Sequence, residues 1–146
     1  MENLKLKDLS VGDWVMVNEK PRKISVLADV WNGSNEVLVG YVAHVYSNGH
    51  NIVFYKPIEK VNPIPITAEI LEKNGFTLCE DCTSRWKKEF SSCCVFVTAP
   101  EGYASVTVYK RVAHGHRRVI DDLQLNGVHQ LQRALRLAGV EKEIVL

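Results

Sequence analysis

Asn62-Pro63-Ile64-Pro65-Ile66-Thr67-Ala68-Glu69-Ile70-Leu71 divides this chain. Each proline fixes its own φ and pushes the preceding residue away from the helical region, so 62–66 reads as a stiff, extended connector. Thr67 then supplies a helix N-cap, Glu69 lies against the positive helix end, and Ile66 is placed to staple onto Leu71. Asn74-Gly75 stops that helix after about two turns, because glycine accepts the left-handed conformation that ends a helix. Two lobes are expected, 1–62 built from strands and 63–146 of mixed composition.

Upstream of the connector, Val11-Gly12-Asp13 turns into the β-forming run Trp14-Val15-Met16-Val17. Lys23 to Val30 follows as a strand. Asn32-Gly33-Ser34-Asn35 punctuates, and Val37 to Tyr46 with Asn51 to Tyr55 makes a hairpin; a short strand is expected at Ile58 to Val61. Four or five short strands with no helix between them suggest an SH3-like small β-barrel or a rolled antiparallel sheet, since closure removes exposed edges. Gly12-Asp13-Trp14-Val15 resembles the first strand of SH3-like barrels. Trp14 and Trp31 stand beside β-branched residues and are expected in the core, a ligand-facing aromatic pair being the alternative. His44 and His50 read as ordinary strand and turn residues.

Downstream, Phe76 to Leu78, Arg85 to Phe90, Cys93 to Thr98 and Ala104 to Val112 are strand candidates, with Ala99-Pro100-Glu101-Gly102 as a hairpin turn. In 127–139, Val128, Leu131, Ala134, Leu135 and Ala138 fall on one helical stripe while Gln130, Arg133 and Arg136 face away, and Gly139 ends the helix. Val140 to Leu146 is expected to return as a last strand. The whole is an α+β protein whose second lobe is an antiparallel sheet with two helices on one face.

With 46% apolar and 24% charged residues a packed core is expected, and a net charge of +1 gives no bulk attraction to nucleic acid or to a membrane. The opening, Met1 to Asp8, has no apolar run of a secretion signal, so a cytoplasmic protein is expected. The uncharged stretch from Val37 to Tyr55 is long enough to span a bilayer, but Ser47-Asn48-Gly49-His50-Asn51 breaks it into a hairpin. No membrane association is read.

Two sets of residues carry candidate chemistry. Cys79-Glu80-Asp81-Cys82 has the spacing of a zinc knuckle, with Cys93-Cys94 following after ten intervening residues. Adjacent strand residues point to opposite faces, so one of Cys93 and Cys94 could join the first pair, and a fourth ligand would come from His114, His116 or His129. Reduced loop and core thiols are the plainer reading, and no cofactor is expected. A thioredoxin-like role is disfavoured because the motif follows a helix stop rather than opening a helix. Lys110, Arg111, Arg117 and Arg118 flank His114-Gly115-His116, and Arg85, Lys87 and Lys88 flank Trp86; both clusters could meet phosphates. Asp121 and Asp122 offset the first, which reads as a solvated turn, and lysines guarding a strand edge explain the second. No phosphate loop, nucleophile elbow or zinc-protease helix is present, so an enzyme is disfavoured.

Gly12-Asp13-Trp14-Val15, the word Pro63 to Thr67 with Glu69-Ile70-Leu71 and Asn74-Gly75-Phe76, and Val128-His129-Gln130-Leu131-Gln132 together resemble a family of small uncharacterised proteins encoded in phages, prophages and mobile elements of Bacteroides-type bacteria. The likeness runs along nearly the whole chain in the same order. It implies an intracellular protein of phage origin and no activity, and the cysteines lie outside its shared words. His129 and Gln132 read as residues that cap neighbouring backbone groups. The expectation is a binding or adaptor protein acting on an unknown protein partner, with nucleic-acid binding and a zinc module or zinc enzyme as alternatives.

Overall fold

The computed structural model describes residues 4–30, 36–100 and 103–146, without the side chains of Leu6, Asp29 and Val30. The chain forms two compact units, one ending at Ile64 and the other beginning at Pro65. The described residues are mixed α+β and mostly strand, with two antiparallel sheets and two helices.

In the first unit, β1 (Trp14–Val17), β2 (Lys20–Val30), β3 (Glu36–Val45), β4 (Asn51–Pro57) and β5 (Val61–Pro63) form one sheet in the order β4-β3-β2-β1-β5. The first part of β2 pairs with β1 and the rest with β3. The register slips between Ile24 and Val26, where Ser25 Oγ donates to the Gly40 carbonyl at 3.2 Å. Such a bulge sharpens the local twist and bends the strand. Val15, Val17, Ile24, Val39, Tyr41 and Val61 form the core with Leu4 and Leu9.

Three expectations need correction here. No ladder joins β4 to β5 among the described residues, so the sheet is open and not a closed barrel. Ile58–Lys60 is a single 3-10 turn, and the last strand begins at Val61. Pro63 pairs with Val15 on that edge strand, where its missing N–H leaves no ladder bond unmade. Trp14 is half-buried, because β1 turns Val15 and Val17 inward and Trp14 and Met16 to the other face. Trp31 and the turn at 32–35 lie outside the described residues, as do Glu101 and Gly102.

In the second unit, β6 (Thr77–Leu78), β7 (Arg85–Glu89), β8 (Cys93–Thr98), β9 (Ser105–Val112) and β10 (Gly115–Gln124) run as a meander in the order β10-β9-β8-β7-β6. The turn read within the Lys110 to Arg118 cluster falls at Ala113-His114, but from Gly115 the chain continues through Arg117, Arg118, Asp121 and Asp122 as a ten-residue edge strand. Register shifts between Arg118 and Ile120 and between Ile120 and Leu123 break its alternation, which is why periodicity hides it.

The helices are α1 (Ala68–Lys73) and α2 (Val128–Leu137). Thr67 Oγ1 accepts from the Ile70 N–H at 3.3 Å, the expected N-cap. Both helices end alike. Phe76 N–H donates to the Leu71 carbonyl and Gly75 N–H to that of Glu72; Val140 N–H donates to Leu135 and Gly139 N–H to Arg136. These are two Schellman motifs, with Gly75 at φ 78° and Gly139 at φ 84° in the left-handed position. The α2 stripe of Val128, Leu131, Ala134, Leu135 and Ala138 is buried as read. Among the described residues, 140–146 join no sheet, contrary to the expected last strand.

Candidate functional site

Opposed residues of an antiparallel pair share a face, so register alone sorts the second sheet into two sides. On one side lie Trp86, Lys88, Val95, Val97, Val106 and Val108. All but Lys88 are buried. Leu135 of α2 lines the same small cavity as Lys88, Phe76 and Ile144, which places α2 on this side. That cavity is about 10 Å³, room for one water and too small for a substrate.

The other side carries Arg85, Lys87 and Glu89 from β7, Cys94, Phe96 and Thr98 from β8, Thr107, Tyr109 and Arg111 from β9, and His116 and Arg118 from β10. Phe96 and Tyr109 are half-buried at its centre, edge to face with ring centroids 5.8 Å apart. The Arg85 guanidinium lies 4.4 Å from the Phe96 centroid and the Lys87 ammonium 5.9 Å from it. Arg118 lies 5.5 Å from the Tyr109 centroid. Two half-buried rings thus have three cations against them, with Arg111 further along the same face.

Two carboxylates temper the charge. Glu89 is 3.0 Å from Lys87 and 3.9 Å from Arg111, and Asp121 is 3.0 Å from Arg118. The hydrogen bond to Lys87, with its charge and those of Arg111 and His116, holds the Glu89 carboxyl below the usual range. Glu89 raises Lys87 in return, chiefly through the same bond, and Asp121 raises Arg118. Exposed pairs of this kind contribute little to stability and are readily exchanged for other anions.

The structure therefore divides the seven basic residues named from sequence. Arg85, Lys87, Arg111 and Arg118 share the open face. Lys88 is on the helix side, where its ammonium donates to the Asn74 carbonyl and stands 4.9 Å from the Phe90 centroid. Burial, with Lys142 nearby, pushes its pKa down. Lys110 and Arg117 oppose each other on that same side, at the exposed end of β9 and β10. Trp86 is 7% exposed, so it stacks within the core and not on a ligand. Sequence reasoning missed Phe96 and Tyr109 as members of a site and named His116 only as a possible metal ligand. Their signal is the alternation within Cys94-Val95-Phe96 and Tyr109-Lys110-Arg111, and only the register aligns the two.

The thiols scatter. Cys93 opposes Lys110 and Cys94 opposes Tyr109, so the neighbours point to opposite faces as read. Burial raises both thiol pKa values. Cys79 and Cys82 are half-buried at the ends of a turn, Cys82 N–H donating to the Cys79 carbonyl at 3.3 Å. Among the described residues, no three His, Cys, Asp or Glu side chains gather as a metal site. No helix there is long and apolar enough to cross a membrane. His44 and His50 are exposed, and His129 is fully buried in α2. No family model, curated protein or solved structure matches the chain.

Proposed function

We propose that this is a non-catalytic binding protein of phage or mobile-element origin, and that its ligand is single-stranded nucleic acid held on the open face of the second sheet. One observation carries the reading: Phe96 and Tyr109 lie half-buried on one face with Arg85, Lys87, Arg111 and Arg118, on a sheet whose other side is filled by helix and core. Rings stack on bases of any sequence, and the surrounding cations follow the backbone. Thr98 and Thr107 add hydroxyls on the same face. The shared sequence words support the phage origin, and four free thiols suit the reducing cytoplasm. The strand order of the first unit, the bent β2 and the 3-10 turn before β5 support an SH3-like ancestry for that lobe.

The test is fluorescence anisotropy with a labelled mixed-sequence 20-mer, single-stranded and duplex, across a salt series. Four phosphate contacts would give a log–log slope of about −3 at most for a single strand, and fewer if Glu89 and Asp121 keep their partners. Phe96→Ala with Tyr109→Ala is expected to weaken single-strand binding at least about tenfold at unchanged slope. Arg85→Ala with Arg111→Ala should flatten the slope. No retention of the single strand at low salt ends the nucleic-acid reading and returns the face to a protein partner.

A further inference from the structure

Residues 140–146 are held by side chains acting as a strand. The Gln132 carboxamide, 2% exposed on α2, accepts from the Ile144 N–H at 2.6 Å and donates to the Lys142 carbonyl at 3.4 Å. Asn74, at the end of α1, repeats this on the next residue: it accepts from the Val145 N–H at 2.8 Å and donates to the Val145 carbonyl at 2.7 Å. A carboxamide offers the same C=O and N–H as a peptide group, so each mimics one unit of a neighbouring strand. Asn74 Nδ2 is fixed in turn by the Ile70 carbonyl at 2.7 Å. Lys73 donates to the Leu146 carbonyl, and Arg136 lies 3.9 Å from Glu143.

What this groove recognises is backbone plus two aliphatic anchors. Ile144 is 4% exposed and Val140, just past the hinge, 6%, whereas Glu141, Lys142, Glu143 and Val145 face solvent. The segment leaves α2 at Gly139, whose left-handed φ turns it back onto its own helix and whose Cβ position faces open space. All the holding contacts lie beyond that single hinge. They are chemically the same whether the segment comes from the same copy or another.

We propose that the groove between Asn74 and Gln132 is a peptide-binding site whose occupant exchanges between copies, residues 140–146 of one chain seating on a second chain to make a reciprocally strapped dimer. Exchange of an identical element keeps every native contact and changes only the hinge. A short connector gives the segment in cis a millimolar effective concentration, so dimer forms at high protein concentration and monomer dominates on dilution. The inference is independent of the sheet face.

Tagged and untagged full-length chains are unfolded together, refolded at high concentration and captured on the tag. Untagged chain is expected to co-purify as a dimer by light scattering. Gly139→Ala penalises the left-handed turn that cis docking needs and an extended hinge does not, so it is expected to raise the dimer fraction about tenfold. A purely structural role for Gly139 predicts less folded protein and no such gain. Pairing an Ile144→Asp chain with an Asn74→Ala/Gln132→Ala chain should restore one-way capture that each lacks alone. Should those variants fail to fold by circular dichroism, the Gly139→Ala comparison decides. Monomer alone at every concentration, in both wild type and Gly139→Ala, overturns the proposal.

Discussion

Replacing Gln132 by leucine isolates what one backbone-mimicking amide contributes. The two side chains have similar size, so the buried site stays filled and the cavity cost stays small. What goes is the acceptor of the Ile144 N–H, a 2.6 Å bond within the buried part of the unit. The bond to the Lys142 carbonyl is long at 3.4 Å and lies at an exposed residue, which recovers water. Leaving one buried N–H unsatisfied costs about 1–3 kcal/mol, so about 2 kcal/mol is expected. That corresponds to roughly thirty-fold in the equilibrium for opening the segment. Amide hydrogen exchange followed by NMR reads it directly, with the Val145 amide, held by Asn74, as the comparator. Exchange of Ile144 should accelerate about thirty-fold, and that of Val145 with it if the segment opens as a unit. Gln132→Glu adds a sign test. The buried carboxyl has a folded-state pKa above its unfolded value, so protection is retained while it is protonated and lost as pH rises through that folded value. An Ile144 rate within about twofold of wild type in Gln132→Leu would refute the account of the clamp.

Gly75→Ala places a side chain at φ 78° with Lys88 Nζ 3.4 Å from the new Cβ, and is expected to cost about 1–2 kcal/mol in urea unfolding; a neutral result would mean that the Schellman turn relaxes freely. Gly40→Ala would set its Cβ 2.9 Å from Tyr55 and 3.2 Å from Val26. The exposed Tyr55 ring can swing aside but Val26 sits in the neighbouring strand, so a loss of about 1 kcal/mol is expected by thermal melting, and an unchanged melting temperature would count against the close approach. For the thiols, maleimide labelling should give two fast sites, Cys79 and Cys82, and two slow ones, Cys93 and Cys94, whose burial and raised pKa disfavour the thiolate. The raised values also set a pH sign: this contribution is complete below the ordinary thiol pKa of about 8.5 and falls as pH climbs through the folded values, so wild type should lose more stability at high pH than Cys93→Ala does.

The parts of the fold legible in the amino acids are those whose chemistry is local. Thr67 as a cap, Gly75 and Gly139 as stops and the buried α2 stripe each follow from a few neighbouring residues. The strands of the meander up to Val112 follow from alternation. β10 escaped because two register shifts destroy its period of two and its residues are nearly all exposed, so it carries no apolar face to read. Trp14 was misplaced because strand parity, and not size, decides which side a residue takes. Gln132 as a backbone-bonding residue was legible in the word Val128 to Gln132, since a polar group among apolar neighbours must find a partner; that its partner is Ile144 was not.

The sequence alone determined a strand-rich front, a proline-marked boundary whose Pro63 the structure takes into β5, and a second half that carries both helices, because backbone stereochemistry at proline, glycine and capping residues acts within a few residues of itself. Long-range register was left to the tertiary structure, since pairing partners tens of residues apart are chosen by the packing of whole faces. That register separates Arg85, Lys87, Arg111 and Arg118 from Lys88, Lys110 and Arg117, and centres Phe96 and Tyr109 among the first four. It also leaves the last residues without a ladder and gives them two side-chain amides instead, a choice that depends on Asn74 and Val145 meeting across 71 positions of chain.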